Sequence, residues 1–420
     1  MSLWSPGHPP RLDAAYSTFL FEDPMNAPLS RTFWWLWTGA LLSALATFVF
    51  PFLALYLASL GMPAQRIGLI VALLGAGAVL AGPLAGGIAD RFGRRPVLIG
   101  SLSGAALAAA YLGCVKEPLY LAPGAFLFGL CAMMTFPAIN AIVSDLVPAA
   151  EVQRAYGLLY WAQNAGIAVS SLAGALFAEK HWTLLFWIDA GTTLLFALLV
   201  FRRVPESRPE PKPHEEQRGW MYLLRDRRLT GLLLAHLLFV MVWWQFQFAI
   251  PIAIQRQGLG AGTFGAILGT NCTLLFTLQP WISKKLAHRD KGQLLAAGSL
   301  LAGLGYGAHA LCHTTLQYVL AALVWTMGEM LVLPTASAVI AEFAPEDLRG
   351  RYQGSLAFAF SVGMTLSPLV SGFVIEHFGL TVLWSGSLVL GVATAVLHLR
   401  LAQSRARLPA PVLRQGESFS

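Results

Sequence analysis

Glu329 is the residue whose type and setting most directly imply chemistry. It lies deep in the apolar run 316–340. An ionisable group near mid-bilayer costs roughly 2.5–3.5 kcal/mol on insertion scales and is a functional candidate by default. A carboxyl so placed fits a proton carrier, and equally a neutral acid hydrogen-bonded between helices. Trp325 stands one helical turn before it on the same face. Further along the chain, His236, Trp243 and Gln247 are spaced i, i+7, i+11, and Tyr160, Asn164 and Ser171 i, i+4, i+11, so each set shares one helix face. Asn140 and Asn271 add amides in other apolar runs. As a group they read as the lining of a substrate cavity for bulky amphipathic molecules, including cations that rest on aromatic faces. Taken singly, each also fits an interhelical hydrogen bond or an interfacial aromatic. Asp189, about 10 Å into its run at 1.5 Å per residue, reads as a packing residue.

Other chemistries find no support. Cys114, Cys131, Cys272 and Cys312 are isolated, with no CxxC or His pairing, so neither a metal nor a disulfide is expected. There is no nucleophile–base set and no phosphate-binding glycine loop, so neither an enzyme nor a bound cofactor is expected.

These residues must be positioned by helices in lipid. The chain is 56% hydrophobic and 12% charged, whereas a soluble domain carries about 25% charged residues. A hydrocarbon core about 30 Å thick needs about 20 apolar residues per helix. Apolar runs lie near 33–58, 67–89, 97–115, 119–141, 154–178 and 182–201, then 229–254, 262–284, 293–312, 316–340, 351–375 and 380–400. The predicted fold is an all-α membrane protein of twelve transmembrane helices in two six-helix halves, 32–201 and 229–400. A cytoplasmic linker 202–228, rich in proline and charge, separates them. Residues 1–24 lack the apolar core of a signal peptide, so 1–31 is expected to be a disordered tail, and 401–420 a cytoplasmic one.

Charge sets the orientation. Of the 28 Lys and Arg, all but Arg66, Lys116, Lys180 and Arg256 fall on one side of the twelve-span scheme. The positive-inside rule makes that side, with both termini, cytoplasmic. The net charge of +7 is thereby explained by lipid headgroups, and no nucleic-acid partner is expected.

The second half repeats the first. Shifting Pro137 onto Pro334, an offset of 197, also brings Pro148 onto Pro345, Arg154 onto Arg351, Gly166 onto Gly363, Glu179 onto Glu376 and Trp187 onto Trp384. Asp145 falls on Glu342, and Gly68 on Gly265. Halves in one register with an even number of spans are parallel repeats, which place a shared cavity near mid-membrane between them.

Between the second and third runs stands Gly86-Gly87-Ile88-Ala89-Asp90-Arg91-Phe92-Gly93-Arg94-Arg95. Gly86 would permit close helix contact and Gly93 a tight turn. Asp90 can accept from the free N–H groups of a helix start. This segment resembles the G-x-x-x-D-R-x-G-R-R loop of major facilitator transporters at every specified position. Gly328-Glu329-Met330 with Pro334, then Ala344-Pro345 and Arg349-Gly350-Arg351, is similar to the tenth-to-eleventh region of bacterial drug:proton antiporters and their relatives. Proton-coupled peptide transporters share the Gly-Glu pair.

The resemblance implies that Asp90 caps the eleventh span near Arg351 and that Arg94 pairs with Asp145. Together with Arg91 and Arg95 these would form a conformational switch, with a permanent loop clamp as the alternative. Two departures stand out: Ser170-Ser171 where those antiporters carry Gly-Pro, and Ala125 near the place of an expected arginine. The implied function is proton-coupled export of small amphipathic compounds from the bacterial inner membrane, by a protein expected to act as a monomer. Proton-coupled uptake of a specific nutrient, such as a peptide, sugar or organic acid, is the alternative, and a non-transporting membrane sensor or scaffold the more remote one.

Overall fold

A computed structural model describes residues 29–148, 151–207, 223, 225–286, 288–345 and 348–406. The expected terminal tails and the linker lie largely outside these residues. Among the described residues, ten stretches are long and apolar enough to cross a membrane. One of them, Gly350–Gln403, is 54 residues long, about 81 Å at 1.5 Å per residue, and must cross twice. Its helix, Arg349–Ala406, breaks at Gly379, whose φ of 84° and ψ of 170° belong to glycine alone. The helix Val152–Arg203 likewise breaks at His181. Its first part, 152–180, is not among the ten and carries Gln163, Asn164, Ser170 and Ser171.

Twelve crossings result. They are Arg31–Ser59, Ala64–Phe92, Arg94–Cys114 and Pro118–Leu146, then 152–180 and 182–203. The second half has Arg227–Arg256, Ala261–Leu286, Lys291–Leu311 and Thr315–Phe343, then 349–378 and 380–406. They are called here the first to twelfth spans.

Two spans are interrupted at positions the repeat makes equivalent. The first is two helices, Arg31–Ala44 and Val49–Ser59. The seventh is Arg227–Trp243 and Ala249–Arg256, joined by a 3₁₀ turn at Trp244–Phe246. Phe48 and Gln245 differ by the offset of 197. Interior backbone freed in lipid must find partners inside the protein, and both breaks do. Asp189 Oδ2 accepts from the Phe48 and Val49 amides at 2.8 and 2.9 Å. At the other break, Tyr306 donates its hydroxyl to the Trp243 carbonyl at 2.6 Å. Gln245 Nε2 lies 2.7 Å from Ser371 Oγ and 3.2 Å from Ser367 Oγ.

Each half is a bundle held by small residues at crossings. A Cβ placed on Gly129 would meet the Leu74 carbonyl oxygen at 2.0 Å, and one on Gly303 would meet Gly391 Cα at 2.8 Å. Close helix approach of this kind drives association where lipid is as apolar as leucine. Between the halves the contacts are second span on eleventh, fifth on eighth, and first on seventh.

Candidate functional site

Away from the basic ends, at the opposite, outer face, the seams between the halves are tightly closed. Away from the arginine-rich loops, a Cβ on Gly68 would meet the Pro368 carbonyl oxygen at 2.3 Å and Gly372 Cα at 3.2 Å. On the other flank, a Cβ on Gly265 would meet Ala175 Cβ at 2.2 Å and the Ser171 carbonyl oxygen at 2.8 Å. The 197-residue offset carries Gly68 onto Gly265, Ser171 onto Pro368 and Ala175 onto Gly372. The two seams are therefore one contact used twice. Phe52 meets Phe264 edge-on at 5.3 Å and Phe50 meets Trp244 at 5.8 Å between the seams.

Nearer the basic face, a Cβ on Gly82, Gly86, Gly87, Gly350 or Gly354 would meet nothing within 4 Å. This corrects the expectation that Gly86 sits in a close helix contact: no neighbouring helix approaches it. On the other flank the halves still touch, with Trp161 of the fifth span 6.3 Å from Phe276 of the eighth.

Glu329 sits at the middle of the tenth span, in the C-terminal half. It is the fifteenth residue of the 29-residue tenth span, about 21 Å from either helix end, and only 6% exposed. Its Oε2 accepts from Asn271 Nδ2 at 2.8 Å, and the same amide donates to Thr326 Oγ1 at 3.1 Å. Tyr160, exposed on the fifth span of the other half, lies within electrostatic reach of Glu329, as does Cys272. Asn164, one turn on, donates to the Tyr160 carbonyl at 2.8 Å. Asn140 is exposed on the fourth span, six residues from its basic end. Trp243 packs its ring on Phe246 at 4.9 Å and on Phe360 at 5.7 Å.

Three residues assigned to the cavity lie elsewhere. Trp325 has no exposed surface and is stacked between Tyr306 at 5.3 Å and Phe246 at 5.9 Å. It faces the ninth and seventh spans because the missing side chain of Gly305 admits its backbone. His236 is buried in the C-terminal half, stacked on Phe239 at 6.5 Å and next to His398 of the twelfth span. Gln247 belongs to the outer closure. With its amide nitrogen turned toward the first span, it lies 3.2 Å from the Phe50 and 3.3 Å from the Pro51 carbonyl oxygen. Helical spacing finds residues on one face, but in a bundle that face can meet another helix as easily as a cavity.

The arginine-rich loop works first within its own half. Arg94 Nε lies 2.7 Å from Asp145 Oδ2, so the pair expected from the resemblance is present. Lys291 pairs with Glu342 at the positions 197 further on. Gly93 has φ 95° and ψ 167°, the turn its type allows. Arg95 reaches the Phe201 carbonyl and lies over its ring at 5.4 Å. Arg91 is exposed on the last turn of the second span. Asp90, exposed on that turn, and Arg351, in the first turn of the eleventh span, are both engaged by neighbours.

Sequence reasoning missed Glu206. Its Oε1 accepts from the Arg94 amide at 2.8 Å, and a Cβ on Gly93 would meet its carboxylate at 2.6 Å. Nothing in Pro205-Glu206-Ser207 signals a helix cap for a span more than a hundred residues earlier. At the equivalent place in the second half, Asp290 caps its own helix through Gln293 N at 2.7 Å.

A crevice between the halves is lined mainly by apolar side chains, with Thr365 among them. It has a volume of about 320 Å³ and lies between the second, fourth and eleventh spans, bordered by Leu80, Phe126 and Leu366. Among the described residues no group of His, Cys, Asp and Glu has the arrangement of a metal site.

Comparison with known proteins places this arrangement. The profile of the Major Facilitator Superfamily matches residues 36–368 and 327–418. An MFS-type transporter of Bacillus subtilis, YttB, is 26% identical, with 84% of this chain and 91% of that protein covered. A Na(+), Li(+), K(+)/H(+) antiporter of Planococcus maritimus is 24% identical over 76% of this chain and 84% of its own. The multidrug resistance protein MdtH of Yersinia pestis is 26% identical over 78% and 82%. Among solved structures, a POT family transporter in complex with 5-aminolevulinic acid superposes with a TM-score of 0.75 at 15% identity. That match covers 89% of this chain and 96% of the other.

Proposed function

The chain belongs to the major facilitator superfamily and is an integral membrane transporter, not an enzyme, and we propose that it exports small amphipathic, preferentially cationic compounds in exchange for protons. The observation that carries this reading is Glu329, a buried carboxylic acid at the middle of the tenth span, held by the amide of Asn271. One carboxylate cannot be neutralised by a proton and paired with a cation at once. Alternating access then exchanges one for the other. A proton taken up from the outer side is released toward the basic face, and the vacated carboxylate receives the substrate cation.

The surrounding side chains support the substrate class. The aromatic faces of Trp243 and Tyr160 and the amides of Asn164 and Asn271 offer stacking and hydrogen bonds, and the buried charge near them is acidic. The relatives named for multidrug resistance and for cation/H(+) antiport agree with the same chemistry. The basic face is assigned to the cytoplasm of a bacterial inner membrane by its arginines. One chain carries both halves of the pathway, so a monomer suffices. Motion between states would release the basic-face contacts of Asp90 and Arg351 or remake them, as bistable elements do in switching proteins.

Proteoliposomes carrying an imposed pH gradient test the reading with a fluorescent lipophilic cation. The wild type is expected to move the dye against its gradient. Glu329→Gln, which keeps the hydrogen bond from Asn271, should lose that uphill movement while still allowing downhill exchange. Uphill movement by the Gln variant at the wild-type rate would remove Glu329 as the proton carrier. Accumulation on the basic side in place of the outer one would assign import.

A further inference from the structure

The outer closure contains one charged contact that the scheme above does not use. Glu376 stands near the outer end of the eleventh span, and its Oε2 accepts from the Ala64 amide at 3.0 Å. Ala64 is the first residue of the second span, in the opposite half. The N-cap of that span is Pro63, which makes no side-chain capping bond. The second span therefore starts without a cap of its own, and the eleventh supplies it. Negative charge is favoured at a helix start because the first amides point outward unpaired. Arg256 Nη2, at the end of the seventh span, approaches the same oxygen at 4.0 Å, with its side chain 45% exposed.

We infer that Glu376 is a positioning residue that latches the outer face shut. The contact joins the two halves where they must separate for the pathway to open outward, and it forms only when Gly372 and Gly68 let the helices touch. In the open geometry the Ala64 amide would turn to water and the carboxylate would lose a fixed dipole. The latch thus favours the state with the outer face shut. The helix cap carries the effect more than the arginine does, since a 4.0 Å approach by a half-exposed side chain is a weak ion pair.

This inference rests on alternating access, and it is tested without any substrate. Spin labels at Lys116 and His313, exposed in equivalent outer loops of the two halves, report the outer separation in lipid nanodiscs. The four native cysteines are replaced beforehand. Glu376→Ala should populate a second, longer distance. The ratio of outward-open to closed molecules should rise about 5-fold, within a range of roughly 2- to 30-fold for loss of a carboxylate at a helix start. Arg256→Ala should change that ratio less than Glu376→Ala does. Gly68→Val, which prevents close contact at the same seam, provides the positive control for what outward opening looks like.

An unchanged distance distribution in Glu376→Ala, with Gly68→Val shifted, would overturn the latch. An effect of Arg256→Ala equal to that of Glu376→Ala would overturn the cap as its basis. Loss of proton-driven transport in Glu329→Gln bears on the coupling scheme and leaves these distances untouched, so the two proposals fail separately.

Discussion

Removing the side chain of Asp189 should damage the first span far more than neutralising it. The carboxylate is 4% exposed, and its Oδ2 alone receives two backbone donors, Phe48 N at 2.8 Å and Val49 N at 2.9 Å, at the break in the first span. In Asp189→Ala both amides are left buried with no acceptor. Each unsatisfied group costs about 1–3 kcal/mol, so the loss is about 2–6 kcal/mol. Asp189→Asn is different. Its amide oxygen can occupy the Oδ2 position and accept from both donors, while its nitrogen faces Thr193 Oγ1, 3.5 Å from the present Oδ1. The cost there should be below about 1 kcal/mol. Hydrogen exchange in nanodiscs reads this directly, because an opening free energy lower by about 2 kcal/mol speeds exchange at Phe48 and Val49 about 30-fold. Thermal unfolding in detergent should rank wild type and Asp189→Asn close together and Asp189→Ala well below. If Asn proved as damaging as Ala, charge and not capping would be the role of Asp189. The reasoning from the two amides would then be wrong.

Other consequences follow from contacts with known geometry. Reversing either Arg94 or Asp145 should lower thermal stability by about 1 kcal/mol or more, since the pair is four-fifths enclosed. The double reversal should recover part of that loss in a double-mutant cycle. Gly93→Ala combines about 1–3 kcal/mol of backbone strain with displacement of the Glu206 carboxylate, 2.6 Å from the new methyl. A drop in melting temperature larger than that of Glu206→Ala alone is the expected result. Equal drops would mean that the strain at φ 95° is relieved elsewhere.

How much of this was readable before the structure differs by level. The twelve spans were legible because lipid forces long apolar helices and leaves few alternatives. The repeat offset was legible because Pro, Arg and Trp recur together. The basic-face ion pairs obey it: Arg94 with Asp145, which the family resemblance implied, and Lys291 with Glu342, which was not foreseen. The site was harder. Glu329 announced itself by cost, whereas Trp325 and His236 share faces that meet other helices, and periodicity does not say what lies opposite. Asp189 was recognised as a packing residue, but its partners, two amides at a helix break 140 residues away, carry no sequence signal. Glu206 and Glu376 were missed as caps for the same reason: the helix starts they serve are remote in the chain.

The repeat also separates the frame from the chemistry. Seam glycines, interrupted spans and basic-face ion pairs occur in both halves. The residues around the buried acid do not: the offset of 197 turns Glu329 into Ala132, Asn271 into Leu74 and Trp243 into Ala46. A duplicated frame gives each half the same two ways of meeting the other, which rocking requires. In the proposed exchange Glu329 is the one coupling acid, which would make the two halves unequal in what they bind. The C-terminal half holds Glu329 and its amide partner, and the N-terminal half supplies the facing wall with Tyr160 and Asn164. Grafting Glu onto Ala132 would therefore not create a second coupling site, because Leu74 offers no amide to hold it. A lone carboxyl there carries the desolvation cost without the hydrogen bond that offsets it at Glu329.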